Sequence, residues 1–456
     1  MSEIKQYPLT VTQQLLMYAN KFIFDKAWLN VASCISINED IDPEIMLNAI
    51  KQTMMRNEFT KIRFHKKFMG PYSLYFCDNA PEGIELVDFS ALSEAELNKT
   101  LEKWARRPFA HKCMDVQMYD LKLILKADGK YCIYANFCHY GFDSYPIMQL
   151  INYISKMYVA LKNGTELPPE SGSPISMYES EYAYNGSEQH KADIDFWTNY
   201  FDPADEPYFT NFYGKDGKFS CKGKRYGRTL VPFKNKSVQL NLKIPADTVN
   251  KIERFATQNR ISPQSVHYLA LHTYLSTKCD SDDVLGSIAV ARRSKLIQKH
   301  GGGSMVNSIM VRNKIDRATV SVTDAAKQIN AELNNCFKHA NMMAGDVIEN
   351  SQKCYNIPVG YHYFTCTLCY QPYFDTKSLS ADMTFARLNN GAAPQSLYIT
   401  VMACDSSGDL TVNYESAEVY YPAEVLEEYH NFLCKFLDDA MDNPDTPIGK
   451  IAEKYI

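Results

Sequence analysis

Apolar residues follow two spacings along this chain, one typical of helices and the other typical of strands. Helical spacing runs from about Thr12 to Phe24 and again from Pro43 to Arg56. Residues 120–138, DLKLILKADGKYCIYANFC, instead contain two short apolar runs joined by a turn with Asp-Gly, which predicts a β-hairpin. Helices and strands therefore mix from the start of the chain, a pattern that indicates an α/β protein.

The mixed pattern continues across a junction near the middle of the chain. Apolar residues recur at helical spacing between Ile147 and Leu161, and the Asn-Gly pair that follows is a typical helix end. Residues 164–176, GTELPPESGSPIS, are rich in Pro, Gly and Ser, so they are the best candidate for a boundary between domains. Beyond them we predict further strands, including VLGSIAVA and SMVNSIMVR, and a closing helix near residues 423–441.

Composition and charge exclude several classes of function. The 456 residues carry a net charge of −5 at pH 7, which gives no general attraction to nucleic acids or acidic membranes. The first residues contain no signal peptide, and no apolar run approaches the ~18 residues of a membrane span. We therefore expect a cytoplasmic protein that binds neither nucleic acid nor membrane. The basic stretch at residues 215–228 is short and isolated, which favours a solvated loop over a nucleic-acid site.

The cysteines point to a reduced interior and to one candidate motif. There are 13 of them, an odd number, mostly within apolar stretches, which is typical of buried thiols rather than of a disulfide framework. Cys366 and Cys369 have the CxxC spacing of metal and redox sites. A zinc site needs a second pair of ligands, and a redox CxxC usually opens a helix, whereas YHYFTCTLCYQPYF is strand-like. We predict that the pair lies in a core strand and expect no metal.

His139 and Asp143 are the first candidates for catalysis. An imidazole with a pKa near 7 can accept a proton from an attacking amine or hydroxyl group. The HxxxD spacing alone is not specific, because His111 and Asp115 share it. His139, however, lies where a strand pattern ends and a helix pattern begins, a place where side chains project into clefts. Asp143 is also a good residue type for a helix N-cap, and the spacing leaves both roles open.

The glycine-rich residues 300–305, HGGGSM, suggest two further functions. A phosphate-binding P-loop needs Gly-Lys-Ser/Thr, which this stretch lacks. The stretch also superficially resembles the Gly-Gly-x-Ser site at which carrier proteins receive phosphopantetheine. That site leads into a helix, whereas SMVNSIMVR alternates like a strand. We therefore exclude both functions.

Several stretches, taken in order, resemble the condensation domains of nonribosomal peptide synthetases, which share the fold of chloramphenicol acetyltransferase and other thioester-dependent acyltransferases. CHYGFDS is similar to a degenerate form of their signature His-His-x-x-x-Asp-Gly. The other similar stretches are YPLTVTQQLLM, RNEFTKIRF, MYESEYAYN, DFWTNYF, GSIAVARR, GGGSMVNSIMVR and LTVNYESAEVYYPAEVLEEYHNFLCKFLDDAMDNPDTPIGKI. Each is loosely similar, but together they cover essentially the whole chain in the family's order.

The resemblance implies a fold and a position for the reaction. We expect two α/β lobes like chloramphenicol acetyltransferase, forming a V-shaped pseudo-dimer with a central tunnel. The N-terminal lobe would span residues 1–170, the linker 171–190 and the C-terminal lobe 191–456. His139 matches the catalytic histidine, midway along the tunnel. Donor acyl-phosphopantetheine would enter from one face and the amine acceptor from the other.

The resemblance also implies roles for residues around His139. Asp143 matches the structural aspartate of the signature, and we expect it to pair with Arg292 or Arg293. Asn307 and Arg312 match the Asn and Arg of a later motif, near the floor of the tunnel.

Two positions depart from the signature. The first His is Cys138 and the Gly is Ser144. The first His is mostly structural in the family, so a small buried Cys138 is compatible with the fold, although Cys138 is also a candidate reactive thiol. The side chain of Ser144 adds bulk where the backbone would approach the thioester carbonyl, which would narrow the tunnel or weaken stabilisation of the oxyanion.

We therefore expect a stand-alone condensation-type acyltransferase that joins an acyl thioester to a small-molecule amine, in nonribosomal peptide or related secondary-metabolite biosynthesis. The chain contains no adenylation or carrier segment, so the thioester would come in trans, on a carrier protein or as acyl-coenzyme A. No metal or redox cofactor is required. Two alternatives remain: an O-acyltransferase that uses coenzyme A and an alcohol, and a non-catalytic relative that recruits carrier or tailoring proteins.

Overall fold

The computed structural model describes residues 5–67, 69–109, 114–215, 217, 225–231, 233, 235–293, 295, 298–299, 301–371 and 382–456. The helices in these ranges are α1 Val11–Phe22, α2 Pro43–Arg56, α3 Glu94–Ala105, α4 Ser144–Asn163, α5 Ile175–Tyr182, α6 Glu188–Asn199, α7 Ala246–Asn259, α8 Pro263–Cys279, α9 Val322–Phe337, α10 Ala344–Tyr355, α11 Ala423–Asp442 and α12 Ile448–Ala452. The strands are β1 Asn30–Ile37, β2 Ile62–Lys66, β3 Tyr72–Phe76, β4 Glu85–Asp88, β5 Tyr119–Leu125, β6 Tyr131–Cys138, β7 Gly227–Arg228, β8 Ser237–Ile244, β9 Asp283–Val290, β10 Asn307–Lys314, β11 Tyr361–His362, β12 Thr367–Gln371, β13 Met383–Arg387, β14 Leu397–Met402 and β15 Leu410–Ala417.

The first sheet has the strand order β13-β1-β6-β5-β4. The predicted hairpin forms its centre, because β5 and β6 pair antiparallel from Tyr119 opposite Phe137 to Leu125 opposite Tyr131. Gly129 closes the turn at φ 77°, a left-handed conformation that glycine adopts without steric cost. The prediction of a hairpin with an Asp-Gly turn is therefore confirmed.

Helix α4 covers this sheet and carries the candidate histidine loop at its start. The carboxylate of Asp143 accepts the backbone N–H of Tyr145 and caps the helix, and Gly164 ends it at φ 63°. Between these ends, the apolar face that includes Ile147 and Ile154 is buried against the first core. Burying an aliphatic side chain of this size contributes about 1.5–3 kcal/mol at most, so this face anchors the histidine loop firmly.

The second sheet is larger, with the order β10-β9-β12-β14-β15-β8. Strand β12 runs parallel to β9 and β14, while the remaining pairs are antiparallel. Cys369 lies in β12 and Cys366 lies one residue before it, and both are buried, so the predicted core strand is confirmed for Cys369 and begins just after Cys366. Burial raises the pKa of the Cys366 thiol to about 12, which makes it inert near neutral pH.

One strand crosses between the two halves of the chain. Residues 383–387 belong to the C-terminal part of the sequence, yet β13 pairs antiparallel with β1 at the edge of the first sheet, from Ile37 opposite Met383 to Ser33 opposite Arg387. The chain then returns to the second sheet as β14. Strand β13 thus belongs to the first sheet, although the predicted division places all of residues 191–456 in the C-terminal lobe. The division into lobes at residues 1–170 and 191–456 stays a prediction.

Two other predictions bear on the function. Residues 216 and 218–224 of the basic stretch lie outside the described residues, while Gly227–Arg228 forms β7 and pairs with β11. Within the described ranges, no helix has the length and apolar character needed to cross a membrane. The same part of the chain holds no group of three or more His, Cys, Asp or Glu side chains placed to bind a metal ion.

Candidate active site

A cavity of about 300 Å³ lies between the two sheets. Its wall combines residues of the first lobe, such as His139 and Met148, with residues of the second sheet, such as Thr367 and Tyr398. This volume is at the lower end of the range for pockets that bind small molecules. His139 is therefore placed where a ligand held by both sheets would contact it.

The backbone around His139 turns the chain sharply from β6 into α4. The N–H of His139 donates to the carbonyl of Leu29 (2.8 Å), which holds the end of the strand. The carbonyl of Cys138 accepts the N–H groups of Gly141 and Phe142 at 3.0 and 3.1 Å, closing a tight turn. The imidazole consequently projects from the end of a strand that is itself fixed in the core.

The electrostatic surroundings of His139 favour a neutral imidazole. Burial lowers the pKa of His139; the negative charge of Asp143 and the backbone groups of His139 and Phe142 oppose this, and the positive charge of Arg387 adds to it. Nδ1 is buried and has no hydrogen-bond partner among the described residues, while the residue itself lines the cavity, and we infer that Nε2 is the nitrogen that faces a bound ligand. A neutral ring with an open nitrogen can accept a proton from a bound amine.

Asp143 has a different task from His139. Its buried carboxylate accepts hydrogen bonds from the backbone N–H groups of Tyr145 (3.0 Å), Met305 (2.7 Å) and Val306 (3.1 Å). It also pairs with the guanidinium of Arg293, with Nη2 at 3.2 and 3.1 Å from the two oxygens. The carboxylate therefore ties the start of α4 to the segment before β10, which is a structural role.

Of the two arginines predicted as partners of Asp143, the structure selects Arg293. Arg293 also donates to the carbonyls of Gln298 (2.7 Å) and Gly303 (2.6 Å), so it holds the glycine-rich loop against the first lobe. Arg292 is not the partner; it forms a separate buried ion pair with Glu181. Arg292 adopts a left-handed backbone conformation, with φ 53°, so the chain turns sharply between these two neighbours and their side chains reach different partners.

Asn307 and Arg312 do not lie together. Asn307 lines the cavity, and its amide group holds the turn at residues 340–344 through three hydrogen bonds of 2.9, 2.7 and 3.1 Å. Arg312 is not among the residues found to line the cavity in the described ranges; it pairs with Asp283 (2.6 Å) and Asp205 (3.2 Å). Asn307 thus lies at the cavity and Arg312 outside its described wall, and the position expected for both near a tunnel floor stays a prediction.

The two departures from the signature differ in their access to the cavity. Ser144 is the first residue of α4 and lines the cavity. Cys138 is fully buried in the first core and does not belong to the cavity wall as far as the chain is described. For the second HxxxD, His111 lies outside the described residues, and Asp115 makes an exposed contact with Nδ1 of His65 at 3.0 Å.

Sequence reasoning missed several residues of the cavity wall. Trp28, Arg387, Tyr398 and Glu415 all line it, and sequence analysis singled out none of them, although Glu415 lies within the stretch that begins LTVNYESA. Arg387 and Glu415 form an ion pair inside the cavity, with Nη2 and Oε2 3.2 Å apart. Cys369 also lines the cavity, although the sequence singles it out only as part of the CxxC pair. The only signal was strand alternation, which becomes useful once the strand register is known.

This architecture defines the class of protein: the chain belongs to the condensation domain family. The family model described as "Condensation domain" matches residues 3–453. Among curated proteins of Bacillus subtilis, surfactin synthase subunit 1 is 21% identical over 98% of this chain, and a dimodular nonribosomal peptide synthase is 22% identical over 73%. The matches span 12% and 13% of the length of these two relatives.

Solved structures give the same assignment of fold. The first condensation domain of the calcium-dependent antibiotic synthetase, in complex with a substrate analogue, matches with a TM-score of 0.82 and 18% identity over 98% of this chain and 99% of that one. The starter condensation domain of rhizomide synthetase, in complex with C8-CoA, matches with a TM-score of 0.79 and 18% identity over 98% and 97%. The predicted α/β fold with two lobes like chloramphenicol acetyltransferase is confirmed.

Proposed function

We propose that this protein is a condensation-type acyltransferase that forms an amide from an acyl thioester and a small-molecule amine. The observation that carries the proposal is the position of His139 in the wall of a cavity that both sheets enclose, and the lowered pKa of its imidazole is consistent with a general base. General bases work best when they are unprotonated and within hydrogen-bond reach of the proton that they accept.

In the proposed reaction, the amine nitrogen attacks the carbonyl carbon of the thioester. His139 Nε2 accepts the proton that the nitrogen loses, and the tetrahedral intermediate collapses as the carbon–sulfur bond breaks. The thiolate takes the proton back from the imidazolium, which leaves an amide, a free thiol and a neutral His139. The positive end of the α4 dipole lies next to this histidine and favours negative charge developing on the carbonyl oxygen.

The residues around His139 have positioning roles in this proposal. Asp143 and Arg293 hold the start of α4 against the segment before β10, and Asn307 fixes the opposite wall through the turn at 340–344. None of the three needs to exchange a proton with substrate. Their task is to keep the His139 ring within the narrow range of geometry that an efficient proton transfer requires.

The donor would be an acyl group on the phosphopantetheine of a carrier protein, supplied in trans, or an acyl-coenzyme A. One relative is a dimodular nonribosomal peptide synthase, and the starter condensation domain similar to this chain was solved with C8-CoA. We place the reaction in the cytoplasm, within nonribosomal peptide or related secondary-metabolite biosynthesis.

The experiment compares wild type with His139→Ala, using acyl-carrier protein or acyl-coenzyme A as donor and a mixed pool of amines and alcohols as acceptors. We expect amide products from wild type, and a rate about 10²–10⁴-fold lower for His139→Ala. His65→Ala is the matched control, because the ring of that partly exposed histidine pairs with Asp115 and, in the part of the chain that the structure describes, lies outside the cavity wall.

Other outcomes of this experiment would change the proposal. Identical product profiles for wild type and His139→Ala would refute the catalytic role of His139. Ester products alone would indicate the O-acyltransferase. No product with either donor, together with binding of a carrier protein, would indicate a non-catalytic domain.

A further inference from the structure

The cavity contains a charged pair that the proposed reaction does not use. Arg387 comes from β13 in the first sheet and Glu415 from β15 in the second, and their side chains are 21% and 26% exposed. Removing two charges from water costs more than a single ion pair usually returns, so stability alone is a weak reason for placing them in this wall. A ligand that hydrogen-bonds to both would offset that cost.

Both groups have hydrogen-bonding capacity beyond their mutual contact. A guanidinium carries five N–H donors, and a carboxylate can accept about four hydrogen bonds. Arg387 gives Glu415 one contact at 3.2 Å and reaches the hydroxyl of Thr400 at 3.5 Å. Within the described ranges, neither charge has another ion pair. Donors from Arg387 and acceptors from Glu415 therefore stay available at the cavity wall.

The pair lies close enough to the proposed reaction centre to touch the same small molecule. Arg387, Glu415 and His139 line one cavity of about 300 Å³. The positive charge of Arg387 also contributes to the lowered pKa of His139, as expected for two groups that face the same cavity. An acceptor whose amine is at His139 Nε2 can thus place a polar substituent at the pair.

We propose that Arg387 and Glu415 form a recognition subsite for an amine acceptor whose side chain ends in an uncharged group that both donates and accepts hydrogen bonds, best matched by a primary carboxamide. This inference rests on the proposed function. A carboxamide offers its oxygen to the guanidinium and its NH₂ to the carboxylate. A carboxylate would be attracted by Arg387 but repelled by Glu415, and an ammonium group would meet the reverse arrangement.

The test measures competition among four acceptors that differ mainly in the side-chain end group. These are the N-acetylcysteamine thioesters of glutamine, glutamate, ornithine and methionine, with one acyl donor in excess. We expect wild type to use glutamine at least about tenfold better than methionine, because an unpaired polar group at the site costs roughly that factor.

Single substitutions should reorder the acceptors rather than weaken all of them. Glu415→Gln leaves Arg387 without its carboxylate, so glutamate should gain about tenfold relative to glutamine. Arg387→Gln leaves Glu415 unpaired, so ornithine should gain instead, and the acidic limb of the pH–rate profile should move to higher pH as His139 loses a neighbouring positive charge. Glu349→Gln, in an exposed pair with Lys353, is the charge-matched control and should leave the order unchanged.

Two results would overturn the subsite. The first is equal use of all four acceptors by wild type. The second is an equal decrease for all four in both variants, which is what a purely structural ion pair predicts. In both cases the wild-type protein still forms amides, so the subsite would be refuted while the proposed function would stand. If wild type makes no amide at all, quenching of Trp28 fluorescence by the same four amines without donor tests the subsite directly, since Trp28 lines the cavity, and equal affinities refute it.

Discussion

Replacing Asp143 with Asn should destabilise the fold far more than its single-atom change suggests. Asp143 is 5% exposed, and its carboxylate accepts hydrogen bonds from the guanidinium of Arg293 and from three backbone N–H groups. Breaking a buried ion pair by removing one partner costs about 3–5 kcal/mol, because the other charge stays buried and unpaired. The side chain of Asn retains one oxygen that can accept the N–H of Tyr145 and cap α4. We therefore expect the free energy of unfolding to fall by about 3 kcal/mol, at the lower end of that range.

Equilibrium unfolding in urea, followed by tryptophan fluorescence, measures this loss as a lower transition midpoint at unchanged slope. Asp115→Asn is the matched control, because Asp115 belongs to the other HxxxD and its contact with His65 is exposed; its cost should stay below ~1 kcal/mol. The variant Arg293→Met combined with Asp143→Asn should be less destabilised than the sum of the two single variants. A loss for Asp143→Asn as small as that of Asp115→Asn would refute the structural role assigned to the carboxylate.

Three further predictions concern stability, access and turnover. Burial lowers the pKa of His267 and His272 to about 4 and that of His362 to about 3, so the folded protein keeps these rings neutral while the unfolded chain binds protons below pH ~6.5. Stability should be complete above that pH and fall by about 2 kcal/mol per histidine at pH 5, seen as lower urea midpoints; a flat dependence would contradict it. Cys138 should resist iodoacetamide in the native protein and react on unfolding, as judged by peptide mass spectrometry; native modification with loss of activity would instead favour a reactive thiol. Ser144→Gly should raise kcat/KM, by up to about tenfold if the side chain costs ~1.4 kcal/mol in the transition state, and an unchanged or lower value would show that Ser144 is not an obstacle.

Local pattern was sufficient for the elements that carry the site. The helix predicted at Pro43–Arg56 has these bounds, since Asp42 caps it and proline occupies its first turn. The helix predicted from Thr12 to Phe24 ends two residues earlier, at Phe22, and begins at Val11. Termini are the least certain part of such predictions because the last turn is held by few hydrogen bonds.

The position of His139 at the end of a strand was also predictable, because a short continuous apolar run precedes it and apolar residues at helical spacing follow it. The resemblance of the stretch around His139 to the family signature then indicated a catalytic role for this residue. The HxxxD spacing alone could not indicate that role, because His111 and Asp115 have the same spacing.

Tertiary structure alone decided which distant residues meet. Arg293 rather than Arg292 reaches Asp143, 150 positions earlier in the chain, and Arg387 enters the cavity only because β13 joins the edge of the first sheet. Such pairings depend on how the two sheets and the strand between them pack, and the spacing of apolar residues within one element contains no information about that packing. The sequence by itself determined the helices, the hairpin and the placement of His139, because these depend on contacts a few residues apart. The structure decided the ion pairs and the cavity wall, because these depend on contacts between segments that only the complete fold brings together.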